Sequence, residues 1–199
     1  MSGDFTRLRI EQDGRLRRIT LAAPEKRNFL DAVLSQDLLR ELRDGAADNA
    51  VGGILIDAEG PVFCSGIDAE AGADLFTIGR RIAKPLVAAV QGVAVSGGLA
   101  LLANAHVVVA AQGSSFGLTD IREGVWNEAL YRAVAGAIGE RRTLELSLTG
   151  RIFSTPDALA WGLVHLVAPA FELDDRATEI ATALANADPN VIRSALRGQ

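Results

Sequence analysis

Cysteine occurs once in this 199-residue chain, as Cys64, and histidine twice, as His106 and His165. One thiol cannot close an internal disulfide, so a reducing compartment is the simplest expectation. Two imidazoles and one thiol fall short of a zinc site of the usual N/S type. No acidic cluster such as DxD calls for magnesium, so neither a metal nor a separate cofactor is expected. Aromatic residues make up 5% of the chain, so the core must rest on Ala, Val, Leu and Ile. Basic arms and poly-acidic tails are absent, and the net charge is -5. That balance excludes the basic face that nucleic-acid phosphates require. The opening "MSGDFTRLRIEQDGRLRR" lacks the apolar core of a signal peptide, which leads to the expectation of a cytoplasmic protein.

What is abundant is aliphatic sequence: 49% of residues are hydrophobic. A chain of this length is expected to form one domain, residues 1–199, with a single large core. The stretch "LVAAVQGVAVSGGLALLANAHVVVAA", Leu86 to Ala111, carries no Asp, Glu, Lys or Arg. It is long enough to cross a membrane, yet Gln91, Ser96, Asn104 and His106 are spread through it, and Gly92, Gly97 and Gly98 divide it. It reads as strand, glycine turn, short buried helix and strand, with no membrane partner. "LRIEQDGRLRRITLAAP" predicts two strands turning at Asp13-Gly14. "EKRNFLDAVLSQDLLRELRDGAAD" has apolar residues at helical spacing, with Gly45 as its expected stop. "VGGILIDAEG" predicts a buried strand. A helix is expected around 70–83, before Pro85. Ser154 or Thr155 caps a helix that has Pro156 in its first turn. A strand at "VHLVAP" and one long amphipathic helix end the chain. Alternating β and α elements predict an α/β layered fold.

Two loops can carry chemistry. In "FCSGID", Gly66 permits a sharp turn that leaves the amide of Ile67 free. In "VSGGLALLA" a helix starts at Gly97-Gly98, where unpaired N–H groups and the positive end of the helix dipole are presented. Two amides aimed at one oxygen form an oxyanion hole. A glycine pair at a helix start also serves plain close packing.

Four blocks then occur in order: "PVFCSGID", "AKPLVAAVQGVAVSGGLALLANAHVVVAA", "FGLTDIREGVW" and "ALAWGLVHLVAP". "APEKRNFLD" precedes them. Together they resemble the crotonase superfamily, the enoyl-CoA hydratase/isomerase group, over nearly the whole chain. The resemblance implies a spiral of repeated ββα units over 1–168, with a short helical region over 169–199, and assembly as homotrimers or hexamers. It implies an acyl-CoA thioester as substrate, held by the amides of Ile67 and Gly97 while an enolate forms. It places Cys64, Gly66, Asp68 and Gly98 in the walls of the site, and Lys26 and Arg27 where CoA phosphates or adenine are met. As loop charges, Lys26 and Arg27 could equally face solvent.

The chain departs from the family pattern at the carboxylates. Hydratases in this family carry two glutamates. Here Ala100 takes the first position, and a methyl group neither accepts a proton nor holds water. Asp120, one methylene shorter than glutamate, takes the second. Glu128, eight residues on, falls where relatives that isomerise dienoyl-CoA or dehalogenate 4-chlorobenzoyl-CoA place a catalytic aspartate. Burial beside an apolar acyl pocket would raise the pKa of Glu128 and suit it to proton transfer. Otherwise it is a solvated charge at a helix start. Ser96 replaces the usual first glycine of a triple and is expected to be a tolerated small residue. No base is in evident reach to make it a nucleophile. The segment between Asp68 and Lys84 is short and the C-terminal helices are fewer than in relatives, so a more open site is expected. The expected activity is double-bond isomerisation of an enoyl-CoA by Asp120, Glu128 or both. Hydration with an altered carboxylate pair and a catalytically inert CoA-thioester binder are the alternatives.

Overall fold

The computed structural model describes residues 7–68 and 74–197. β1 (Leu8–Asp13) and β2 (Leu16–Leu21) form the expected antiparallel hairpin, with Asp13 opposite Leu16. Gly14 in its turn takes φ +54°, where a side chain would be strained. Three strand pairs follow: β3 (Gly53–Ala58) with β4 (Val62–Cys64), β5 (Leu86–Val90) with β6 (Val93–Val95), and β7 (Val107–Ala111) with β8 (Ser115–Gly117). Each pair sends its first strand to one sheet and its second to another. With β9 (Ile152–Ser154) and β10 (Leu166–Ala168), the sheets run β1-β2-β3-β5-β7-β10 and β4-β6-β8-β9. Every pairing is parallel except β1 with β2 and β8 with β9. The layered α/β spiral of ββα turns is thus present.

The central strands are covered on both faces, which is why their sequences are continuous aliphatic runs. Ile54, Ile56, Ala88, Val90, Val108 and Ala110 face the main core, shared with α1 (Ala32–Ala47) and α2 (Gly97–Asn104). Leu55, Val87, Ala89, Val109 and Ala111 alternate with them and face α6 (Leu173–Ala185). Leu173, Ala177, Ala181 and Ala185 recur every fourth residue on α6, so one stripe of that helix lies on the sheet. Its C-terminal end comes so close that a Cβ on Gly52 would lie 2.0 Å from the Ala185 carbonyl oxygen. α3 (Glu128–Ile138), α4 (Glu140–Thr149) and α5 (Thr155–Ala160) fill the connection from β8 to β10. Ser154 caps α5 in a reciprocal capping box with Asp157.

Several expectations need correction. Gly45 does not stop α1; the helix runs through it to Ala47. Gly45 is there for packing, because a Cβ would meet Arg17 and Ile54 side-chain atoms at 3.2 Å. The end of α1 is instead held by Lys84, whose Nζ donates to the carbonyls of Gly45 and Asp48. The expected helix around 70–83 is a 3-10 helix over Leu75–Arg80 in its described part; residues 70–73 lie outside the described residues. The Leu86–Ala111 stretch contains one strand more than expected, because Gly92, at φ +64°, turns the chain from β5 into β6. The final helix is two, α6 and α7 (Pro189–Leu196), with Asp188 capping the second and Pro189 in its first turn. Among the described residues no helix is long and apolar enough to cross a membrane.

Candidate active site

Two loops meet at the start of α2. The first leaves β4 and turns at Gly66, φ +151°, with the Phe29 ring at 3.0 Å from where a Cβ would stand. Leu30 brackets Ile67 in a parallel bridge: its amide donates to the Gly66 carbonyl (3.0 Å) and its carbonyl accepts from the Asp68 amide (3.1 Å). That pattern uses the peptide groups flanking Ile67 and turns the Ile67 N–H to the opposite side. The second loop leaves β6 through Ser96 and enters α2 at Gly97. A Cβ on Gly97 would lie 2.7 Å from the Ile67 Cβ, and one on Gly98 would lie 2.8 Å from the Cys64 Cβ. Glycine is therefore what allows α2 to begin against the Cys64–Asp68 loop. Among the described residues, neither the Ile67 nor the Gly97 amide donates a hydrogen bond. As the first residue of α2, Gly97 has no intrahelical partner for its N–H.

β8 adds a carboxylate to this junction. Its parallel register with β6 pairs Val95 with Gly117. The chain continuing from each strand therefore stays side by side, and Thr119 and Asp120 arrive next to Ser96. The Ser96 hydroxyl donates to Asp120 Oδ2 at 2.7 Å and lies 3.2 Å from Thr119 Oγ1. Ser96 is buried and holds φ +49°, ψ -111°. A non-glycine residue in such a conformation costs about 1–3 kcal/mol. The Ser96–Asp120 contact was missed in the sequence, where Ser96 reads as inert. Its only signal there is a serine standing where the pattern has glycine. Ala100 follows in the first turn of α2, fully buried. Asp120 also borders a cleft lined by Leu118, Ile121, Val125, Trp126 and Leu130.

Glu128 does not match the expectation of a buried carboxylate with a raised pKa. It opens α3 with its side chain 55% exposed. Arg132 donates to it at 2.7 Å and the Trp126 indole at 3.1 Å. These partners favour the charged form and hold its pKa below the usual carboxylate value, the Arg132 hydrogen bond contributing most. Its helix-start position and cationic neighbour correspond to the solvated-charge reading.

The remaining expected wall residues are nearby, in varied states. Burial pushes the Cys64 thiol up to about 12; it donates to the Gly66 carbonyl at 3.3 Å and is no nucleophile. The Asp68 carboxylate is exposed. Lys26 and Arg27 are exposed, on a loop tied to the first loop by the Ser65 amide donating to the Arg27 carbonyl (3.1 Å). Neither cation forms an ion pair among the described residues. Asn28, which sequence reasoning passed over, is fully buried at φ +53°. Its Oδ1 accepts from the Ala23 amide, and its Nδ2 donates to the carbonyls of Glu59 and Val62. It pins the Lys26–Arg27 loop to the turn before β4. His106 and His165 each accept a strand amide through Nδ1, from Leu86 and Val108. Burial holds both imidazoles below their usual pKa. Neither hydrogen-bonds Ser96, so no histidine base completes a serine nucleophile. Among the described residues, no group of three or more His, Cys, Asp or Glu side chains gathers as metal ligands do.

Residues 11–197 match the model of the enoyl-CoA hydratase/isomerase family. The chain belongs to this family, in the crotonase superfamily. This crotonase-superfamily chain is 32% identical over 202 residues to mevalonyl-coenzyme A hydratase sidH of Aspergillus fumigatus, covering 90% of this chain and 73% of that protein. It is 31% identical over 193 residues to the human enoyl-CoA hydratase domain-containing protein 3, mitochondrial, covering 89% of this chain and 64% of that one. The chain thus spans from under two thirds to about three quarters of the length of these relatives. The crystal structure of human enoyl coenzyme A hydratase domain-containing protein 3 superposes with a TM-score of 0.86 at 30% identity, over 95% of this chain and 81% of that one. An enoyl-CoA hydratase from Shewanella pealeana reaches 0.89 at 22% identity, covering 97% and 79%, a likeness of fold.

Proposed function

We propose that this crotonase-superfamily chain binds an acyl-CoA thioester with its carbonyl oxygen between the amides of Ile67 and Gly97, and that Asp120 moves a proton on the bound acyl group. The observation that carries the proposal is the junction itself: Gly97 packed against Ile67, neither amide donating a hydrogen bond among the described residues, and a carboxylate one hydrogen bond from Ser96, between β6 and α2. Asp120 removes a proton from the carbon next to the double bond. The electron pair shifts toward the thioester oxygen, where the two amides stabilise the enolate. The carboxylic acid then returns the proton at the other end of the allylic system, so the double bond moves and the base is regenerated. One carboxylate suffices for this cycle, and Ala100 supplies no second one. Among the candidates, Asp120 rather than Glu128 takes the base role, because only Asp120 is tied to the junction. Lys26 and Arg27, exposed on the loop tied to the Cys64–Asp68 turn, are the proposed partners of the CoA phosphates.

Hydration is the second reading, favoured by the names of the hydratase relatives. Homotrimeric or hexameric assembly and a cytoplasmic location belong to the same proposal; sedimentation velocity tests the first. The chemistry is tested by incubating the protein with 3-enoyl-CoA and, separately, 2-enoyl-CoA. Isomerisation raises the absorbance of the conjugated enoyl thioester from the first substrate; hydration lowers it from the second. Asp120→Asn should abolish turnover, and Glu128→Gln should leave it within about threefold. Tight binding of both thioesters without any turnover would establish the inert-binder reading instead.

A further inference from the structure

We infer that Ser96 is a positioning residue whose hydroxyl holds the Asp120 carboxylate in its working orientation, and so stands in for the second polar group that Ala100 cannot provide. The inference rests on the acyl-CoA reading of the junction and deepens it. Three observations carry it. The hydroxyl donates to Asp120 Oδ2 at 2.7 Å, a short charge-assisted contact. Thr119 Oγ1, at 3.2 Å, can take part in orienting the same hydroxyl. Ser96 also keeps a left-handed φ of +49°, where glycine would sit without strain. A residue with a strained backbone and one strong side-chain contact points to that contact as what the strain serves.

The geometry also explains how a shortened carboxylate is controlled. Asp120 starts a 3-10 helix over Asp120–Glu123, at the edge of the cleft, with its carboxylate only partly buried. Without a donor, a partly exposed aspartate samples several rotamers. The Ser96 hydroxyl selects one of them and leaves the second oxygen, Oδ1, as the proton acceptor. Because Ser96 directly precedes Gly97, the donor that orients the carboxylate and the amide that meets the oxyanion belong to adjacent residues. The base and the oxyanion site are thereby held at a set distance by one stretch of backbone. Ser96 Oγ is not the attacking atom in this account: its described neighbours supply a carboxylate and a threonine, and no imidazole.

The test compares Ser96→Ala, which keeps the Cβ and removes the hydroxyl, with Ser96→Gly, which also relieves the backbone. Both should lower kcat on 3-enoyl-CoA on the order of 10- to 100-fold with KM changed less than about threefold, as expected for lost orientation. Ser96→Gly should melt at the same temperature as wild type or higher, which separates positioning from folding. A crystal structure of Ser96→Ala should show the Asp120 carboxylate out of its wild-type orientation. Asp120 unmoved in that structure, or kcat kept within about twofold, overturns the inference. A mass increase equal to the acyl group on wild-type protein, absent from Ser96→Ala, would also overturn it by making Ser96 a nucleophile. Wild-type protein inert toward every enoyl-CoA would sink the acyl-CoA reading, while the orientation of Asp120 in Ser96→Ala would still decide the role of the hydroxyl.

Discussion

Adding one methyl group at Gly97 tests the junction most directly. The new Cβ would stand 2.7 Å from the Ile67 Cβ, 3.1 Å from its Cγ2 and 3.2 Å from the Gly66 carbonyl oxygen. Ordinary contact begins near 3.4 Å, so the two loops must part by about 0.7 Å. A hydrogen bond of about 2.9 Å stretched that far passes roughly 3.5 Å and ceases to count as one. Losing one oxyanion donor costs on the order of 10²–10³ in kcat, about 2.7–4 kcal/mol. The overpacking itself costs about 1–3 kcal/mol of stability, well within the roughly 5–15 kcal/mol available to a folded domain. Activity should therefore fall far more than folding. Gly97→Ala is expected to remain folded by circular dichroism, to melt lower by several degrees, and to lose at least 100-fold in kcat on 3-enoyl-CoA. Ile67→Gly removes both close Ile67 atoms while keeping the amide, so adding it to Gly97→Ala should recover part of the lost rate. A folded Gly97→Ala protein with wild-type kcat would refute the reasoning, since the amides would then have no part in the reaction.

Three further outcomes follow from the same geometry. Asp31 caps α1 and accepts two hydrogen bonds from Arg7, at 2.5 and 2.8 Å, and the Arg7 guanidinium beside it lowers its pKa from 3.8 to about 2. The depressed folded-state pKa contributes stability above pH 3.8 that is lost as pH falls through about 2. For this partly exposed pair the contribution is about 1 kcal/mol after screening. Urea denaturation between pH 5 and 2 should show the loss, and Asp31→Asn should remove that pH dependence; an unchanged slope in the variant would count against it. The Cys64 thiol, raised to about 12 by burial, should react with a disulfide reagent at pH 8 only after denaturation, and rapid labelling of native protein would show the loop to be open. Asn28→Ala strands the Ala23 amide and the Glu59 and Val62 carbonyls and places alanine at φ +53°. It should cost about 3 kcal/mol or more in chemical denaturation; a cost under about 0.5 kcal/mol would remove Asn28 as the anchor of the Lys26–Arg27 loop.

Local periodicity and turn chemistry carried much of the secondary structure: the Asp13-Gly14 hairpin, the aliphatic strands, the glycine start of α2 and the Ser154 cap. These depend on residues near one another in the chain, and their physics is readable there. The ordered glycine and aliphatic blocks likewise made the family legible, and they single out Ile67 and Gly97 as the candidate amides. Gly45 misled because a glycine that stops a helix and a glycine that lets a helix touch a sheet look the same in sequence. Which one it is depends on Arg17 and Ile54, and Lys84 supplies the cap from 39 residues away.

The carboxylates were the harder part. By residue type and position alone, Asp120 and Glu128 are equal candidates, and only three-dimensional placement separates them. The parallel register of β6 and β8 carries Asp120 to Ser96, 24 residues distant, while the start of α3 turns Glu128 out to Arg132 and Trp126. A side chain's burial, its hydrogen-bond partners and so its proton affinity are properties of what the folded chain brings near it. Sequence order determined which backbone turns could exist in this protein; long-range packing decided which acid stands beside them.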